Sequence, residues 1–201
     1  PAEKKIITVL PGSRKTEVSR LLPVFLQAIE RLQQEDKDFY FVIPTVKTVA
    51  DSVRKEVKKS GNDILVVDTE NDRYGAFRAS SAAIAASGTV ALELAICNVP
   101  HIVAYKVSPF TAFLARRFLK IQFVNLSNIL IGREIVPELL QERCVPGNIA
   151  SYIRHFILKD DDWYEKQTGG FAKVREILGQ GEQTPSQNAA DIVLELIKEK
   201  K

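Results

Sequence analysis

The chain has 201 residues, of which 45% are hydrophobic and 26% are charged, the balance of a globular protein with a full core. Its net charge of +3 is too small to indicate a nucleic-acid-binding protein, but it fits an anionic ligand or an acidic membrane surface. The sequence has no apolar run long enough to cross a membrane and no signal peptide. It also has no methionine and begins with Pro1-Ala2, so we expect it to be a piece of a longer protein.

The first half of the sequence alternates short apolar segments with amphipathic ones. Strands are predicted over 5–10, 39–43, 64–67, 82–86 and 100–105, and helices over 18–35, 46–60, 73–80 and 89–97. Strands and helices that alternate at this spacing form βαβ units with right-handed crossovers. The predicted fold class is therefore α/β, a Rossmann-like parallel sheet flanked by helices, with its ligand beyond the carboxyl ends of the strands.

The second half has a different pattern. Ser108-Pro109 is typical of a helix start, and the apolar stripe that follows predicts a helix to about 120. The segment 124–133 is predicted as a loop, because it shows little helical period. Further helices are predicted over 137–142, 148–158, 161–178 and 186–200, with a linker at 180–184. These boundaries predict one domain over 1–184 and a separate C-terminal helix over 185–201.

Two glycine-containing turns are predicted to lie at the same edge of the sheet. Pro11-Gly12-Ser13-Arg14 follows the first strand, and Ser87-Gly88-Thr89 connects the fourth strand to its helix. A helix start presents free N–H groups to a phosphate, and a glycine there lets the anion approach the main chain. Glu93 lies one helical turn beyond Thr89, where a carboxylate could accept hydrogen bonds from ribose hydroxyls. The same turns also fit ordinary strand–helix connections whose arginine and glutamate are surface residues.

Several other chemistries have no motif in this sequence. There is no dinucleotide fingerprint, Walker A sequence or H-E-x-x-H pair, and no serine or cysteine has the context of a nucleophile elbow. His101 falls in a predicted strand and His155 on a predicted helix, and both are expected to be structural or surface residues. Cys97 and Cys144 are not spaced as metal ligands, and two isolated thiols indicate a reducing compartment such as the cytosol.

Four motifs together resemble lipid-A-disaccharide synthases, a family of two-domain GT-B glycosyltransferases. The motifs are Leu10-Pro11-Gly12-Ser13-Arg14 with Glu17, Ala86-Ser87-Gly88-Thr89 with Ala91-Leu92-Glu93, Pro109-Phe110-Thr111 with Leu114-Ala115 and Arg117, and Asn128 with Gly132-Arg133-Glu134 and Leu139-Leu140-Gln141-Glu142. The first two motifs would fit several sugar-nucleotide enzymes, whereas the last two are specific to this family. The resemblance extends over nearly the whole chain.

The resemblance implies that this chain is the C-terminal, nucleotide-binding half of such an enzyme. The family transfers 2,3-diacylglucosamine from its UDP derivative to 2,3-diacylglucosamine 1-phosphate, releasing UDP, as a step of lipopolysaccharide synthesis. It implies no metal, no cofactor and no nucleic-acid partner, and a location in the bacterial cytoplasm, peripheral to the cytoplasmic face of the inner membrane. The acceptor site and the catalytic base would lie in the other half, so this chain alone is expected to bind UDP but to be inactive.

The resemblance also assigns roles to particular residues. Arg14 would neutralise the departing diphosphate, and Asn128 would lie near the donor sugar or the phosphates; these two are the catalytic candidates. The UDP-binding set is Gly12, Ser13, Arg14, Ser87, Gly88, Thr89, Glu93 and Asn128. The predicted helix over 109–120 is either an ordinary packing helix or a basic, aromatic surface that meets membrane or acceptor through Phe110, Phe113, Arg116 and Arg117. The loop over 68–72 is a candidate for reading the base.

Two alternatives remain open. One is another GT-B enzyme that uses a UDP-sugar, such as a UDP-N-acetylglucosamine transferase or epimerase, which would share the two glycine turns. The other is an α/β binding module without catalysis. The sequence does not indicate the oligomeric state. The final helix, from about Ser186, is expected to cross onto the other half of the enzyme or to pack on a neighbouring chain.

Overall fold

The computed structural model describes residues 5–35, 38–108, 111, 122–159, 162–179 and 185–199. Within these ranges the strands are β1 (Lys5–Leu10), β2 (Phe39–Pro44), β3 (Ile64–Val67), β4 (Ser80–Ala85), β5 (His101–Tyr105) and β6 (Glu138–Leu140). The helices are α1 (Lys15–Glu35), α2 (Lys47–Ser60), α3 (Glu70–Ala79), α4 (Thr89–Ile96), α5 (Leu126–Ile131), α6 (Pro146–Leu158), α7 (Asp162–Ile177) and α8 (Pro185–Glu199).

The six strands form one sheet in the order β3-β2-β1-β4-β5-β6, and every neighbouring pair is parallel. The chain leaves β1 toward one side of the sheet and β4 toward the other. The strand order therefore reverses between β1 and β4, and a crevice opens beyond the carboxyl ends of these two strands. This is the edge at which the sequence predicted the two glycine turns.

The sheet is covered by helices on both faces. The larger core lies against α1, α2 and α6, where the buried side chains include Phe25, Ile29 and Phe156. On the opposite face α3, α4 and α7 supply Phe77, Leu94 and Phe171. Because both faces are buried, most residues of the central strands are apolar, as is usual in parallel sheets. The predicted Rossmann-like α/β fold class is confirmed.

Two predictions for the second half are wrong. The segment 124–133, predicted as a loop, contains α5, which Asn125 caps by accepting hydrogen bonds from the backbone N–H groups of Ser127 (2.7 Å) and Asn128 (3.2 Å). The helix predicted over 137–142 is instead β6 followed by a 3₁₀ turn, Gln141–Arg143. Leucine, glutamate and glutamine favour helices, but pairing with the edge of β5 outweighs that preference.

Some predictions concern residues outside the described ranges. The helix expected over 109–120, with Phe110, Phe113, Arg116 and Arg117, and the linker at 180–184 are among them. Within the described ranges, no helix has both the length and the apolar character needed to cross a bilayer.

Candidate functional site

A cavity of about 370 Å³ lies at the carboxyl edge of the sheet, between the ends of β1 and β4. Its volume falls in the range of small-molecule sites. Seven of the predicted site residues line it, contributed by the two glycine turns and by α4: Gly12, Ser13, Arg14, Ser87, Gly88, Thr89 and Glu93. The topology therefore brings together residues that are about 80 positions apart in the sequence.

The first turn is fixed by a glutamate on α1. Glu17 accepts a 2.8 Å hydrogen bond from Arg14 Nη1, and its other carboxylate oxygen lies 3.3 Å from the Ser13 backbone N and 3.4 Å from that of Arg14. Gly12 has a φ of +105°, and a Cβ there would lie 2.6 Å from the Glu17 carboxylate. The turn therefore requires glycine. It holds Arg14 at the cavity rim, where the side chain is 77% exposed and accessible to an anion.

The second turn leads directly into α4. Gly88 has φ 147° and ψ −169°, a combination that is essentially restricted to glycine. Glycine as the N-cap residue offers no side-chain acceptor to the first-turn N–H groups of the helix, so these donors and the helix dipole face the cavity. Ser87 ties this turn to the segment before α5, since its hydroxyl lies 3.4 Å from the Val124 carbonyl oxygen.

Asn128 does not line the cavity. Its side chain is fully buried, its Oδ1 accepts from the backbone N–H groups of Ile135 and Val136 (both 2.8 Å), and its Nδ2 donates to the Val136 carbonyl (2.8 Å) and to Glu138 (2.9 Å). The amide is therefore fully used inside the protein, where it connects α5 to β6. Its contact with the donor sugar or the phosphates stays a prediction.

The cavity also has lining residues that the predicted site set did not include. Three of them, Thr45 and Val46 just after β2 and Arg73 on α3, line both this cavity and an adjacent groove of about 220 Å³. The groove also includes Asp68, Thr69 and Glu70, from the segment 68–72 that was predicted as a loop reading the base; from Glu70 onward this segment is the first turn of α3, capped by Thr69. The one feature of the sequence that could have placed Arg73 at the cavity is its position shortly after a strand, and that signal is weak.

Among the described residues, no histidine or cysteine lines the cavity. His101 is fully buried, its ring stacks on Phe171 at 5.3 Å, and burial lowers its pKa to about 4. This confirms that His101 is structural. Burial also raises the pKa of both the Cys97 and Cys144 thiols. Among the residues that the structure describes, no three His, Cys, Asp or Glu side chains are close enough to hold a metal ion.

Comparison with known proteins decides between the family alternatives. The sequence model of the family described as lipid-A-disaccharide synthetase matches residues 1–193 of this chain. The chain belongs to this family. It is 43% identical over 192 residues to the lipid-A-disaccharide synthase of Rhodospirillum centenum, covering 96% of this chain and 48% of that protein. It is also 43% identical over 201 residues to the enzyme of Paramagnetospirillum magneticum, covering 99% and 51%.

These lipid-A-disaccharide synthases are longer than the chain, which spans about half the length of the curated relatives it matches. Solved structures with the same fold share less sequence. The wall teichoic acid polymerase TagF aligns with a TM-score of 0.59 at 19% identity over 100% of this chain and 45% of that one. The C-terminal domain of a group 1 glycosyl transferase from Francisella tularensis aligns with a TM-score of 0.55 at 14% identity, covering 89% and 87%. The likeness confirms the predicted fold class, a Rossmann-like domain of the GT-B type.

Proposed function

We propose that this chain is the nucleotide-binding half of a lipid-A-disaccharide synthase. The complete enzyme transfers 2,3-diacylglucosamine from its UDP derivative to 2,3-diacylglucosamine 1-phosphate and releases UDP. Family membership over residues 1–193 supports the reaction. The observation that supports UDP binding is the cavity in which the two glycine turns, Arg14 and Glu93 meet.

Different groups at the cavity are suited to different parts of the UDP molecule. The free N–H groups at the start of α4, beside Gly88 and Thr89, bind the diphosphate, and Arg14 approaches it from the opposite turn. Glu93, one helical turn deeper, accepts hydrogen bonds from the ribose hydroxyls. Negative charge grows on the diphosphate as the glycosidic bond to the donor sugar breaks. Fixed positive groups that stabilise this charge lower the barrier to transfer.

The remaining steps belong to the half of the relatives that this chain does not span. A base must deprotonate the acceptor hydroxyl, and the described residues of the cavity include no histidine or cysteine. Both substrates carry two acyl chains, so the complete enzyme meets them at a membrane, and we place it on the cytoplasmic face of the inner membrane. The net charge of +3 is favourable for an anionic lipid surface.

Calorimetric titration of the chain with UDP tests the proposal. Saturable binding is expected, and Arg14→Ala and Glu93→Ala should each weaken it about tenfold or more, because each removes a charge-assisted hydrogen bond. Arg20→Ala and Glu176→Ala are matched controls, because both residues are exposed and neither lines the cavity. If the variants at Arg14 and Glu93 bound UDP as tightly as these controls, the placement of UDP in this cavity would be refuted.

A further inference from the structure

Arg73 occupies an unusual position beside the proposed UDP site. It projects from α3 into the wall that separates the main cavity from the adjacent groove, and its Nη2 lies 3.4 Å from Glu93 Oε2 on α4. The two side chains are only 28% and 27% exposed. A charged pair so far removed from water needs good hydrogen bonds to offset its desolvation.

The pair has only part of those hydrogen bonds. The Nη2–Oε2 contact is an ion pair without hydrogen-bond geometry, and both Arg73 Nε and Glu93 Oε2 are buried with no hydrogen-bond partner among the described residues. Thr45 lines the same part of the wall, and its hydroxyl is also buried without a partner. Three polar atoms without a partner, on α3, on α4 and just after β2, thus belong to residues that line the same cavity, which points to a ligand that completes the arrangement.

The guanidinium is held in position by its own helix. Its carbon lies 4.9 Å from the centre of the Tyr74 ring, its Nη2 lies 3.3 Å from the Tyr74 hydroxyl, and Glu70 Oε1 is 3.6 Å away, one turn earlier. These contacts restrict the side chain before any ligand arrives, so little conformational entropy is lost on binding.

A vicinal diol matches this pair chemically. Each hydroxyl of a diol can donate to a carboxylate and at the same time accept from a guanidinium, so the two hydroxyls would satisfy both charged groups. We propose that Arg73 is a specificity-determining residue that acts with Glu93 to recognise the ribose diol of the nucleotide. The inference rests on the proposed UDP site, and it assigns to that site a preference for ribonucleotides over deoxyribonucleotides.

Nucleotide analogues test this assignment. The chain, Arg73→Met, Arg73→Lys and the control Arg78→Met are titrated with UDP, 2′-deoxy-UDP, 3′-deoxy-UDP and inorganic pyrophosphate. Arg78 is a suitable control because it is exposed on the same helix and lines neither the cavity nor the groove. The unchanged chain and Arg78→Met are expected to bind at least one deoxy analogue about tenfold more weakly than UDP.

In Arg73→Met the preference for UDP should fall about threefold or more, the remaining preference coming from Glu93, and Arg73→Lys should lie between the two, because lysine keeps the charge but not the planar fork. Pyrophosphate lacks ribose, so Arg73→Met should bind it as the unchanged chain does. If Arg73→Met kept the full preference for UDP, or lost pyrophosphate binding together with UDP, the assignment of Arg73 to ribose would be overturned. Failure of the unchanged chain to bind UDP would instead count against the proposed function.

Discussion

His101 shows how a single buried side chain sets the pH dependence of stability. Its pKa is lowered to about 4 mainly by burial, while the hydrogen bond between Nδ1 and the Val99 carbonyl (2.9 Å) opposes the shift. The unfolded chain has a histidine pKa of about 6.5, so between these values the unfolded state binds the extra proton. Stability therefore falls as the pH drops from about 6.5 to 4.

The expected loss from His101 at pH 5 is about 2 kcal/mol relative to pH 7. Urea unfolding at the two pH values measures it, and His101→Gln, which removes the titrating group, should reduce the pH-dependent loss by that amount. An equal pH-dependent loss in the variant would show that His101 is not the responsible group.

Asn128 illustrates a polar residue whose role is inside the fold. Replacing it with alanine would leave the backbone N–H groups of Ile135 and Val136 and the Glu138 carboxylate without partners. We expect Asn128→Ala to lower the free energy of unfolding by about 3 kcal/mol. Asn148→Ala is the control, because Asn148 makes an exposed hydrogen bond to the Arg143 carbonyl, and it should cost at most about 0.5 kcal/mol.

Urea unfolding of the two variants distinguishes the structural role from a ligand-binding one. If Asn128→Ala were as stable as the unchanged chain but bound UDP more weakly, Asn128 would be a ligand contact after all.

The turn before α4 is the element on which the proposed phosphate binding depends. At Gly88 an added Cβ would meet no atom within 4 Å, so the obstacle to substitution is the backbone conformation alone. Alanine at position 88 would either strain this backbone conformation, at a cost of about 1–3 kcal/mol, or shift the turn, so we expect Gly88→Ala to lower UDP affinity about tenfold or more in calorimetric titration.

Gly61→Ala is the control: Gly61 also has a positive φ, 72°, and free space around its Cα, but it ends α2 away from the cavity. That variant should lose about 1 kcal/mol of stability and keep its UDP affinity; equal effects of both changes on affinity would contradict the role of the turn.

The elements that the sequence predicted well are those with a long or repeated pattern. Alternating strands and helices indicated the parallel sheet, and parallel strands place their carboxyl ends together, so seven cavity residues could be predicted from the sequence alone. The helix α5 has six residues and the strand β6 has three. Both are too short for a periodic pattern of hydrophobic residues to be recognised, which explains the two wrong predictions. The contact between Arg73 and Glu93 could not be predicted, because it depends on how α3 and α4 lie against each other.

At the scale of the whole molecule, α8 differs from the other helices. Its described side chains are all exposed, and five large apolar ones, Ile192, Val193, Leu194, Leu196 and Ile197, are between 54% and 59% exposed. Apolar area that stays in water contributes nothing to the core. Because the relatives are about twice as long as this chain, we expect α8 to cross onto their other half, as the resemblance implies.

Deleting residues 180–201 tests the independence of the nucleotide-binding domain from α8. We expect the shortened chain to keep its free energy of unfolding within about 0.5 kcal/mol and to bind UDP as before, because the core and the cavity are formed by residues before 180. Phe171→Ala in the same urea experiment shows that the measurement is sensitive: Phe171 is fully buried, and its truncation should cost about 3–5 kcal/mol.

A loss of several kcal/mol on deletion would mean that α8 stabilises the domain it follows. Retained stability and affinity would support a boundary near 184, with α8 free to contact another part of the longer enzyme.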